Sequence, residues 1–215
     1  ALNEYLEAYE YSKNTRNEYL KYQNLYHIGV VKSYLGYYDE AADLFGKCLL
    51  YYREKSTSDI HPNLIYNNKK GYLNSLHQLI ICYRHLGKYK EMDAAIKKGL
   101  TEAGSSKDYA QEKGYFLLSK GISEYREKQY EKALSDLNSS LLSIRNSRDF
   151  ARLSVNYFFI GKSYLGMNDD QKSVVYFRKI DSIFNKDVYD VSITGTGIVS
   201  LAGYNYLIKS LIGSV

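Results

Sequence analysis

One short phrase occurs four times along this 215-residue chain, each time reading as the end of a helix, a tight turn and the start of another helix. The copies are Ser33-Tyr34-Leu35-Gly36-Tyr37-Tyr38-Asp39-Glu40-Ala41, Cys82-Tyr83-Arg84-His85-Leu86-Gly87-Lys88-Tyr89, Tyr125-Arg126-Glu127-Lys128-Gln129-Tyr130-Glu131-Lys132-Ala133 and Ser163-Tyr164-Leu165-Gly166-Met167-Asn168-Asp169-Asp170, the last aligning after a shift of two residues. Such recurrence marks a repeat architecture, in which each unit is too small to bury its own apolar face and must stack on its neighbours. Pro62 is the only proline, so long helices can run almost without interruption.

Each position in the phrase has a physical task. Gly36 and Gly87 end a helix in the left-handed conformation that glycine adopts without strain. Asp39 and Asp169 follow as caps or first-turn acids. Ala41, Ala133 and Ser173 are small residues at a close helix crossing, and the positions four and seven further on share their face: Phe45 and Cys48, Leu137 and Ser140, Phe177 and Ile180. Upstream of three turns sits a mid-helix glycine, Gly29, Gly121 or Gly161. Each costs about 1 kcal/mol against alanine, so the shared register argues for a closely approaching helix.

A small residue mid-helix, a Gly-x-Tyr turn, then Ala, Phe and a small residue at fixed offsets resembles the tetratricopeptide repeat, over roughly residues 20 to 185. The resemblance implies an all-α fold, a right-handed superhelix of antiparallel helix pairs. Three departures stand out. The early aromatic of the family is Leu25, Leu76, Leu117 and Tyr157 here, the closing proline is absent, and Ala41, Met92, Ala133 and Ser173 are separated by 51, 41 and 40 residues where the family repeat is about 34. Repeats near 40 residues are similar to those of bacterial sensor and regulator proteins, in which the array is joined to an output module.

Helices are predicted over 2–13, 16–35, 39–55, 65–86, 89–103, 108–128, 130–146, 149–166 and 170–185, with a turn-rich exposed loop at 56–63. The first helix reads as half of a repeat whose other half is missing, so residues 1–190 form a partial repeat (1–15) followed by about four helix pairs. From Val191 the chain turns glycine- and β-branched-rich, with no charge between Asp190 and Lys209. A capping helix over Ile198 to Leu211 is expected there, with a membrane-adjacent or non-native extension as the alternative. A membrane span is not expected, because Asn205, Lys209 and several glycines interrupt the ~20 apolar residues a span needs.

No catalytic constellation appears. His77 and Cys82 are five residues apart, roughly 140° around a helix, which excludes the i, i+4 pair of a zinc helix. Gly195-x-Gly197 lacks the rest of a dinucleotide fingerprint, and neither a Gly-Lys-Ser/Thr phosphate loop nor a Gly-x-Ser-x-Gly elbow is present. The carboxylate pairs Asp39-Glu40 and Asp169-Asp170 sit at helix starts, where the helix dipole accounts for them. No cofactor, no metal and no enzyme activity are expected. Twenty-nine basic residues against 24 acidic ones give a net charge of +5 that is scattered rather than clustered, so nucleic acid is not an expected partner. Cys48 and Cys82 lie within apolar helical patterns and read as small core residues; two unpaired cysteines fit a reducing cytoplasm better than an exported setting.

The resemblance implies a protein or peptide partner held on the concave side, lined by the first helix of each pair. The helical register places Gln23, Tyr26, Val30 and Ser33 there, then Asn74, His77, Ile81 and Arg84, then Tyr115, Leu118, Ile122 and Tyr125, then Val155, Phe158 and Lys162. Of these, Asn74, His77, Arg84, Tyr26, Tyr115, Tyr125 and Lys162 are the candidate ligand-binding residues: amides and cations for backbone or carboxylate, tyrosines for rigid contact area. Any one of those tyrosines could instead fill a helix crossing. The two-lysine, two-asparagine, arginine clamp of chaperone-binding relatives has no counterpart. The alternative function is a scaffold that self-associates through the first helix or the tail.

Overall fold

The computed structural model describes the backbone of residues 2–56 and 68–194 and the side chains of residues 2–55 and 68–183. Among them are nine α-helices and no strand, as the sequence predicts for an all-α chain: α1 (Leu2–Ser12), α2 (Glu18–Tyr34), α3 (Tyr38–Ser56), α4 (Asn68–His85), α5 (Tyr89–Ala103), α6 (Ala110–Arg126), α7 (Tyr130–Ile144), α8 (Phe150–Gly166) and α9 (Asp170–Thr194). A single 3-10 turn, Lys107–Tyr109, leads into α6. The last helix runs nine residues beyond its predicted end at 185, so 191–194 belong to α9 and not to a separate tail. The expected capping helix at 198–211 and the expected loop, apart from Ser56, lie outside the described residues.

The four turns share one hydrogen-bond design. Gly36, Gly87, Lys128 and Asn168 have positive φ values of 87°, 70°, 60° and 59°, and each lies five residues before Ala41, Met92, Ala133 or Ser173. In every copy the left-handed residue donates its N–H to the carbonyl three residues back, and the next residue donates to the carbonyl five back: Tyr37 to Lys32 at 3.0 Å, Lys88 to Tyr83, Gln129 to Glu124 and Asp169 to Tyr164, all at 2.9 Å. These are Schellman closures, which satisfy helix-end carbonyls that would otherwise be orphaned. In the fourth copy the left-handed residue is Asn168, not Gly166, which accounts for the two-residue shift in the alignment. Asp169 then caps α9, its Oδ1 accepting from the Lys172 N–H at 3.1 Å.

Behind each turn the paired helices run antiparallel, since contact positions fall along one helix as they rise along the other. Between α2 and α3 the pairs are Lys32 with Glu40, Gly29 with Phe45, Tyr22 with Tyr51 and Glu18 with Lys55. The mid-helix glycines are where the backbones close: a Cβ added at Gly29 would lie 2.9 Å from the Phe45 ring, at Gly121 2.6 Å from Leu137 Cγ, and at Gly161 2.7 Å from the Phe177 ring. Ala41, Met92, Ala133 and Ser173 are all buried beside these seams.

By contact the chain divides into two compact units, Ala1–Glu112 and Lys113 onward. In the first, α3 packs on α2 and α4, α4 also touches α2, and Ala41, Phe45, Leu79 and Cys82 form a core cluster. In the second, α8 packs on both α7 and α9. Its core holds Leu118, Ile122, Ala133, Leu137 and Ile160, with Tyr115, Ile144 and Leu153 as a second cluster.

Candidate recognition face

Within the first unit, α2 and α4 lie side by side. Gln78 Nε2 donates to Tyr26 Oη at 3.5 Å, and the Ser33 side chain hydrogen-bonds the Cys82 thiol. Around that junction Gln23, Tyr26 and Val30 of α2 and Asn74, Ile81 and Arg84 of α4 are half-buried. Tyr26 is anchored, meeting Phe45 and His27 edge to face. Among the described residues, Asn74 has no hydrogen-bond partner for its amide and Arg84 has no carboxylate within ion-pair range. His77, predicted for the same face, is 3 % exposed and belongs to the interior. The reason is that α4 is covered nearly all round: from Tyr72 to Ile80 only Asn74 escapes full burial.

At the C-terminal end of α4 lies an aromatic corner that the sequence did not reveal. The His85 ring stacks on Tyr38, centroids 4.2 Å apart and planes within 1°. Arg84 Nη2 approaches His85 Nε2 at 3.5 Å. Burial of the imidazole face, and then the Arg84 charge, pull His85 down to about 4, although its outer edge is open to water. Burial also lowers Arg84 from its ordinary value, opposed by the nearby Tyr38 and Tyr89. Only the residue types were legible in the sequence; the juxtaposition joins the turns of two different helix pairs.

In the second unit Tyr115 is 5 % exposed and structural, its hydroxyl donating to Asp149 Oδ2 at 2.9 Å while the Arg152 guanidinium lies over its ring at 4.6 Å. Asp149 in turn caps α8 through the Arg152 N–H at 3.1 Å. Tyr125 is half-buried among Tyr130 and Phe159. Lys162 is half-buried on α8 with no ion-pair partner among the described residues. A charged cluster that sequence reading passed over spans α6 and α7: Lys120 Nζ is 2.6 Å from Asp136 Oδ2 and 3.5 Å from Glu124 Oε1. Burial and the hydrogen bond to Asp136 raise the Glu124 carboxyl. The i, i+4 spacing of Lys120 and Glu124 was visible in the sequence, but the arrival of Asp136 was not.

The reactive groups elsewhere are quiet. Burial pushes the Cys48 thiol up to about 12 and Cys82 up to about 11, so neither is a thiolate at neutral pH. Among the described residues no group of three His, Cys, Asp or Glu side chains is placed to hold a metal ion, and no helix is long and apolar enough to cross a membrane. No protein-family model matches the chain, and no curated protein matches it.

Proposed function

We propose that the chain is a non-enzymatic recognition module: a tetratricopeptide-like array, its antiparallel helix pairs stacked as a right-handed superhelix, that binds a peptide or protein segment along the α2/α4 face of its first unit. The observation that carries this reading is the pair Asn74 and Arg84. Both sit on a half-open helix face, about 15 Å apart along α4 at 1.5 Å per residue, with an amide and a guanidinium uncommitted to any acceptor that would neutralise or saturate them. The hydrogen-bonding capacity of both groups is left largely unused among the described residues, and a bound chain would supply partners for it. That separation suits four or five residues of extended peptide at about 3.3 Å each. Tyr26 and Ile81 give the same face rigid apolar area. By its resemblance to sensor arrays, the module belongs to a larger bacterial regulator.

The test is selection from a displayed random-peptide library on the native chain, followed by affinity measurement on Asn74→Ala, Arg84→Ala and the double variant. Loss of roughly tenfold or more in the double variant, with helicity unchanged by circular dichroism, is the expected result; undiminished affinity overturns the assignment. Self-assembly is the second reading, favoured by the exposed Leu6 and Tyr11 on α1. Light scattering that reports a monomer at every concentration removes it.

A further inference from the structure

Arg84 stands apart from Arg152, the other half-buried arginine. Arg152 is pinned by Asp149 Oδ2 at 2.7 Å. Arg84, half-buried beside Tyr38, His85 and Tyr89, makes one hydrogen bond among the described residues, to His85 Nε2 at 3.5 Å. A guanidinium has only donors, so Nε2 accepts and the imidazole is the neutral Nδ1–H tautomer. One of five N–H groups is used. The helix C-terminus favours a cation at this position, but a half-buried guanidinium still carries a desolvation cost that is ordinarily met by a counter-charge, and among the described residues no carboxylate lies within ion-pair range of Arg84. The carboxylates beside Tyr38 in the first turn are engaged elsewhere: Glu40 with Lys32 at 2.6 Å, Asp39 with Lys88 at 3.9 Å.

We infer that Arg84 is an oxyanion subsite: its free N–H edge binds a carboxylate or phosphate group carried by the bound peptide, against a wall formed by the Tyr38–His85 stack and Tyr89. The inference rests on the peptide-binding reading and assigns the chemistry at one end of that face. The planar fork of arginine matches either oxyanion through two parallel hydrogen bonds, which a lysine ammonium does not reproduce.

The experiment titrates the full chain with sodium phosphate and, separately, sodium acetate at ionic strength fixed with sodium chloride, following the Arg84 Nε–Hε and His85 ring signals by NMR. Saturable shifts are expected in the native chain, abolished in Arg84→Gln and weakened about tenfold in Arg84→Lys. Shifts that persist in Arg84→Gln, or that chloride reproduces at equal ionic strength, overturn the inference. Two forms of one selected peptide, carrying aspartate or phosphoserine, then distinguish the source of the oxyanion, and binding of neither above a serine control also overturns it. The two readings fail separately. A peptide that depends on Asn74 while anions ignore Arg84 sinks the subsite alone, whereas anions at Arg84 with no peptide bound sink the groove alone.

Discussion

At the scale of single residues, the chain's glycines divide by what faces them. Gly46 has nothing within 4 Å of where a Cβ would stand, whereas at Gly121 a Cβ meets Leu137 Cγ at 2.6 Å and the Ala133 carbonyl oxygen at 3.2 Å. Gly46→Ala is therefore expected to gain about 1 kcal/mol from helix propensity. Gly121→Ala is expected to lose about 1–2 kcal/mol, because overpacking against backbone outweighs the same gain. Urea titration of both variants checks the opposite signs; equal signs would mean that Gly121 does not mark a close crossing. His85 supplies a pH effect. Its imidazole stays neutral in the folded chain down to about 4, while the unfolded ordinary value is 6.5. Between those values the unfolded chain binds a proton that the folded chain refuses, so stability falls as pH drops through this window. His85→Gln is expected to flatten that slope in denaturation curves recorded across it. Seam glycines and small residues were legible in the sequence because each obeys a strict offset from its turn. The burial of His77 and Tyr115 was not, since helical register names a face without saying whether a neighbour covers it.

At the scale of helices, the turns carried most of the information. Among the described residues, eight of the nine predicted C-terminal helix ends lie within about two residues of the observed ones, Gly36, Gly87 and Gly104 marking the stops of α2, α4 and α5. The exception, α9, has no such glycine near 185 and continues to Thr194. What binds helices into groups was less visible. Asn156 of α8, fully buried, donates to Ser140 Oγ of α7 at 2.9 Å, and Ser140 donates to the Gly114 carbonyl of α6 at 2.7 Å. This chain of hydrogen bonds ties three helices of the second unit together. Ser140→Ala strands the Asn156 amide and is expected to cost about 1–3 kcal/mol. Asn156→Leu in the same background is expected to add less than it costs alone, and strict additivity in the double-mutant cycle would show that the two side chains are not coupled.

At the scale of the whole molecule, two compact units each hold a core of their own, and the uncommitted polar groups of the predicted site fall unevenly between them. Asn74 and Arg84 share one helix of the first unit, while Tyr115 in the second is engaged in capping α8 through Asp149. Composition and repeat spacing foretold the helical class, but not this distribution, which depends on contacts such as that of Tyr115 with Asp149, 34 positions apart in sequence. The central claim is recognition along α2 and α4, and hydrogen exchange of the native chain with and without a library-selected peptide tests it most directly. Protection concentrated in residues 20–34 and 70–85, and absent when Asn74 and Arg84 are both alanine, is the predicted result. Protection confined to α1 or α9, or unchanged by the double substitution, would contradict it.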